Sequence, residues 1–163
     1  MSLTIEFYSA EPQEVQALFS ARNENGDFER FFEKLESYPR ADFSFHVHIP
    51  EDMDRLCQAL RKHHERFPPT FKEIMREQLY DDGLSESLTL LNHNFAMALA
   101  KMNGNEMEQA ALNWAATFPY QEPLQQTPAY QSLLHLREVA LDAVTRNTAL
   151  LFYLEGNPAF FRW

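Results

Sequence analysis

The stretch Asp42-Phe43-Ser44-Phe45-His46-Val47-His48-Ile49 alternates without a break, with Phe43, Phe45, Val47 and Ile49 on one side and Asp42, Ser44, His46 and His48 on the other. Side chains along a β-strand point to opposite faces with a period of two, so this stretch predicts a half-buried strand. Leu3, Ile5 and Phe7 alternate in the same way with Thr4, Glu6 and Tyr8, and predict a second strand. Between the two lie helical signals. Pro12 opens a helix with Val15, Leu18 and Phe19 on one face, and Asn25-Gly26 ends it. Phe28, Phe31, Phe32 and Leu35 then fall at i, i+3, i+4 and i+7, the stripe of an amphipathic helix. A helical connection of about thirty residues suits a parallel strand pair with a right-handed crossover. The alternation itself suits a sheet with one exposed face.

Beyond Ile49 the chain reads as helical. Pro50 begins a helix with an acidic first turn, whose core face is Met53, Leu56, Cys57 and Leu60. After Pro68-Pro69, Thr70 caps a short helix carrying Phe71, Ile74, Met75 and Leu79, closed by Asp82-Gly83. Residues 85–102 present Leu88, Leu91, Phe95, Leu99 and Met102 at steps near three and four. The pattern resumes after Asn103-Gly104 with Met107, Ala110, Ala111, Trp114 and Phe118. From Pro128 no breaker intervenes before Glu155, which predicts one long helix, apolar nearly all round from Val139 to Leu154 and central in the core. The expected architecture is α+β and predominantly helical. A small N-terminal sheet of two to three strands packs on five to seven helices, in one domain over 1–163 with a mixed half (1–82) and an all-helical half (83–163).

Composition bounds the function. With 45 % hydrophobic and 13 % aromatic residues the chain carries enough apolar surface for a core, and its single cysteine excludes a disulfide scaffold. The formal charge of −10 repels phosphate backbones, so nucleic acid is not an expected partner. The one dense basic run, Arg61-Lys62-His63-His64-Glu65-Arg66, lies where a helix ends, the usual place for cations facing the last carbonyls. No run approaches ~20 apolar residues and no basic leader precedes an apolar stretch, which implies a cytoplasmic chain that does not engage a membrane. Four isolated glycines cannot build a phosphate-binding loop.

A few residues could carry chemistry. His46 and His48 share a strand face, about 6.7 Å apart along it. Were the two strands neighbours, Glu6 could complete a two-histidine, one-carboxylate set for a divalent metal, with hydrolytic or oxygen chemistry at an open site. Histidines on the solvated side of a sheet account for the same pattern without metal. Cys57 and His64 are seven residues apart on one helix, about 10.5 Å of rise, too far for a nucleophile pair. His93 and His135 read as solvated. Arg137 falls within the stripe of Tyr130, Leu133, Leu134, Leu141 and Val144. It therefore requires a buried ion pair, an escape to water past the helix end, or a role as an anion-binding arginine in a cleft.

The preferred reading is a non-catalytic binding or regulatory protein of bacterial type, needing no cofactor, whose acidic surface meets a basic protein partner. Toxin-neutralising immunity proteins illustrate that class by charge and size alone. The alternative is a small metal-dependent enzyme using Glu6, His46 and His48. The aromatic tail Phe160-Phe161-Arg162-Trp163 must cover its own body or a second copy, and a monomer with a docked tail is favoured over a homodimer.

Overall fold

A computed structural model describes residues 3–45 and 47–157. His46 and the aromatic tail from Pro158 lie outside the described residues, and with them the tail-docking expectation. In chain order the elements are β1 (Thr4–Ala10), α1 (Pro12–Asn25), α2 (Phe28–Glu36), β2 (Arg40–Asp42), α3 (Glu51–Arg61), β3 (Met75–Asp81), β4 (Glu86–Leu91), α4 (His93–Lys101), α5 (Gly104–Ala115), α6 (Pro128–Thr145) and β5 (Ala149–Glu155). The strands form one five-stranded sheet of order β2-β1-β5-β4-β3, and every neighbouring pair is antiparallel. Among the described residues no helix is long and apolar enough to cross a membrane.

This overturns the expected small N-terminal sheet of two to three strands, and the all-helical second half with it. Three of the five strands read as helix from the sequence: β3 because its exposed run Arg76-Glu77-Gln78 and two register shifts break any alternation, β4 and β5 because helices cover both sides of the sheet there. A strand buried on both faces loses its alternation and becomes a short apolar run that periodicity cannot tell from helix. In β5, Leu150 through Leu154 are all buried. Leu150, Phe152 and Leu154 join the core under α3–α6, while Leu151 and Tyr153 face α1 and α2. The turn into β5 uses Asn147, whose φ of 56° is open to asparagine at small cost, so no glycine or proline marks the end of α6. Asn92 separates β4 from α4 and caps the helix by accepting the Asn94 N–H at 2.9 Å. Thr70 and Glu73 form a capping box, but it opens only the single 3-10 turn Phe71–Ile74 before β3 begins.

The pairing of β1 with β2 is antiparallel, contrary to the expected parallel crossover. Two helices, α1 and α2, intervene between these strands, and an even number of returning segments lets β2 enter in the opposite sense to β1. The long strand expected from Asp42 to Ile49 is also cut short. The Asp42 carboxylate accepts the Ser44 N–H at 2.8 Å, and the Phe45 N–H turns back to the Phe43 carbonyl at 2.8 Å. These local bonds compete with the ladder. The apolar alternation keeps its purpose, since Phe43, Val47 and Ile49 are buried in the core under α3–α6.

That core is tied across the sheet by rings. Phe152 lies 5.2 Å from Phe7 and 5.0 Å from Phe71, and Phe7 lies 4.9 Å from Phe43. Trp114 of α5 donates its indole N–H to the Asp52 carbonyl of α3 at 2.8 Å. Cys57 is fully buried here, and burial pushes its thiol up to about 12. Because Phe152 sits on the central strand, Phe152→Ala is expected to cost about 3–5 kcal/mol in urea unfolding with the m-value unchanged. A loss below about 1 kcal/mol would show that this ring cluster does not hold the layers together.

Candidate functional site

The layer formed by α1 and α2 is built from a stretch rich in acid. Between residues 11 and 37 the chain has Glu11, Glu14, Glu24, Asp27, Glu29, Glu33 and Glu36, all exposed, against exposed Arg30 and Lys34. Gly26, at φ 67°, ends α1, and the Asp27 carboxylate accepts the Arg30 N–H to start α2. The α2 stripe of four apolar residues is divided. Phe31 and Leu35 point into the core, while Phe28 is 55 % and Phe32 42 % exposed. A cavity of about 320 Å³ opens between the helices over Ala17, Leu18, Ala21, Arg22 and Phe31, rimmed by Glu14, Asp27 and Arg30. A second, of about 470 Å³, shares Leu18 and Arg30 with it and extends to Glu33, Lys34 and Ser37. The outer face of this layer is thus acidic, grooved and partly aromatic.

Its inner face is fastened by one buried cation. Arg22, 6 % exposed, donates to both oxygens of Glu86 on β4, at 2.6 and 2.9 Å. The guanidinium carbon lies 4.4 Å from the Phe31 ring centroid and 4.9 Å from that of Phe19. Hydrogen bonding to Glu86 holds the guanidinium more firmly protonated than usual, against the opposing effect of burial. Tyr153 donates its hydroxyl to Glu86 at 2.6 Å and lies 2.9 Å from Glu155. Arg22 and Asn23 both reach the Tyr80 hydroxyl. On the same side of the sheet, Glu6 accepts from Tyr8 and, at 2.9 Å, from Arg40. Burial first, then the nearby carboxylates, push the Tyr8 and Tyr153 phenols well above their ordinary range.

The residues singled out from the sequence are placed as follows. Both Glu6 oxygens are engaged inside the protein, and the residue opposite Glu6 on β2 is Asp42, not a histidine. His48 lies six positions beyond Asp42, outside the paired stretch and exposed, with its backbone N–H on Asp52 at 2.7 Å. Among the described residues no group of three or more His, Cys, Asp or Glu is arranged to hold a metal ion. Arg137 forks onto one carbonyl, that of Met102, at 2.7 and 3.0 Å, and so caps the end of α4. Its partner is backbone, where the sequence suggested a carboxylate, an escape to water or a cleft. His93 and His135 are exposed. Sequence reasoning missed Arg22 and Glu86, although Arg22 lies i+3 from Phe19 and i+7 from Val15, on the apolar face of its helix.

The chain matches no protein-family model, no curated protein and no solved structure.

Two consequences can be measured. Arg22→Met strands the Glu86 carboxylate and is expected to cost about 3–5 kcal/mol in denaturant unfolding; a cost below about 1 kcal/mol would mean the pair is effectively solvated. Tyrosine in the unfolded chain ionises near pH 10. With Tyr8 and Tyr153 held protonated above that, the unfolded state sheds protons first, so stability is retained below pH 10 and lost as pH rises beyond it. The slope of unfolding free energy against pH above 10 is expected to flatten in Tyr153→Phe, and an unchanged slope would place this phenol in contact with water.

Proposed function

We propose that the protein is a non-catalytic binding or regulatory protein whose α1–α2 face engages a basic protein partner. The observation that carries this reading is the exposure of Phe28 and Phe32 within a surface of seven carboxylates opposed by two cations. Apolar rings left in water on a stable helix mark a contact surface when they cluster beside a groove. The surrounding acid selects the sign of what is bound: lysine and arginine would find Glu14 and Asp27 at the rim of the cavity, and an arginine could stack on Phe28 or Phe32. Electrostatic attraction of this kind speeds encounter and is weakened by salt. The face is rigid because Arg22 fixes α1 to the sheet, so little ordering cost falls on binding.

The metal-dependent alternative draws no support from Glu6, whose oxygens already have partners.

Placing a photo-crosslinking residue at position 28 and irradiating in cell extract at several salt concentrations tests the proposal. A discrete crosslinked protein of basic isoelectric point is expected, with yield falling as salt rises and lost in Glu29→Lys/Glu33→Lys. The same probe at exposed Leu141 on α6 should give no such product. An acidic or salt-indifferent crosslinked product, or equal labelling from position 141, would overturn the assignment.

A further inference from the structure

On the other side of the sheet two cations and two histidines converge. A groove of about 810 Å³ lies between the loop after α3 and the outer face of α4, and four of its lining residues are His64, Arg66, His93 and Lys101. In a chain of net charge −10 such a convergence is unexpected, and it uses the basic run that sequence reading assigned to the end of a helix. The structure separates the members of that run. Arg61 turns back onto the Phe67 carbonyl at 2.9 Å, while His64 and Arg66 pass beyond the last turn of α3 and reach the groove. His93, Met97 and Lys101 stand at i, i+4 and i+8 on α4, a stripe about 12 Å long. Asn92 already satisfies the N–H groups of Asn94 and Phe95, so it is side chains and not the helix end that would meet a ligand. Two carboxylates belong to the surroundings: Glu65, between His64 and Arg66 in the chain, and Glu106 of α5, whose carboxylate lies 3.3 Å from the His64 Nε2 without hydrogen-bond alignment, leaving that buried nitrogen without a bonded partner. Arg66 and Lys101 are exposed and make no ion pair among the described residues.

We propose that this groove is a binding site for a phosphorylated small molecule. Its volume is in the range of ligand pockets, its cations come from two elements, Arg66 from the loop after α3 and Lys101 from α4, and Met97 and Ala98 add apolar lining for the organic part of a ligand. The arginine fork and the compact lysine ammonium are the two side chains best suited to phosphate oxygens. The site lies on the opposite side of the sheet from the acidic face and does not depend on that face's role.

Isothermal titration of the full chain with inorganic pyrophosphate, at fixed ionic strength and pH 7, tests the assignment, with citrate as a polycarboxylate comparison. One-site saturable binding of pyrophosphate is expected, weaker by about tenfold or more in Arg66→Gln/Lys101→Gln and unchanged in Arg76→Gln, an exposed cation on β3 that does not line the groove. Both altered positions are exposed, and circular dichroism of the double variant verifies that it folds. Absence of saturable binding, equal loss in Arg76→Gln, or undiminished binding in the double variant would each overturn the site. Citrate binding as tightly as pyrophosphate would overturn the phosphate assignment. Light scattering provides a further arm: association of two copies that the double variant abolishes, without pyrophosphate binding, would reassign the groove to self-contact.

Discussion

The bidentate contact of Arg22 with Glu86 is the constraint on which the α1–α2 layer depends. Withdrawing both charges from water is costly, and the pair withstands that cost only because almost every polar atom around it is matched. Glu86 receives two guanidinium nitrogens and the Tyr153 hydroxyl, and Arg22 also reaches Asn23 and Tyr80. Aromatic rings on either side complete the enclosure. An apolar pair would stabilise as well, but greasy contacts slide. A two-pronged contact fixes α1 against β4 at one rotation and one height, and the positions of α2 and its exposed rings follow.

The polar network has the sheet as its scaffold. Glu6 stands opposite Tyr153, Tyr153 opposite Leu88, and Leu88 opposite Tyr80, so one row across four strands carries three of the polar members. The neighbouring row pairs Glu155 with Glu86. Like charges facing each other on adjacent strands destabilise a sheet unless something bridges them. Tyr153 does so, within reach of both carboxylates, with Arg22 supplying the compensating charge. The raised phenol of Tyr153 and the tightly held proton of Arg22 are two results of the same crowding.

How much of this could be read in the sequence varies by element in a physically ordered way. α1, α2, α3 and α5 carry terminal signals, such as Gly26, Asp27, Pro50 and Asn103, and one apolar stripe each, and they stand close to where those signals place them. β1 alternates and was legible. β4 and β5 were not, because helices on both sides of the sheet erase the polar half of the pattern, and because Asn92 and Asn147 make the turns where a glycine or proline would have been noticed; β3 was not, because its exposed run Arg76-Glu77-Gln78 and its register shifts break the alternation. For the site, Arg22 stands on the apolar stripe of α1 just as Arg137 stands on that of α6. The difference lies in the partner: Arg137 needed only a carbonyl at the end of a neighbouring helix, whereas Arg22 needed Glu86, on a segment read as helix, so no sequence argument could have brought the two together.

Exposed phenylalanines normally invite a protein to associate with itself, and the charge around Phe28 and Phe32 opposes that. A second copy approaching by the same face would bring its own seven carboxylates against these seven, and the repulsion acts before the rings can touch. The same charges attract a basic surface. In the binding role proposed above, acidity would do two things at once, keeping the apolar rings solvent-exposed on the free protein and reserving them for a partner of opposite sign. The rings in turn supply what charge cannot, because exposed ion pairs in salt contribute little affinity of their own. A surface with only the carboxylates would bind many basic proteins weakly, and one with only the rings would aggregate. It is the combination, fixed in place by Arg22, that makes a selective contact physically reasonable.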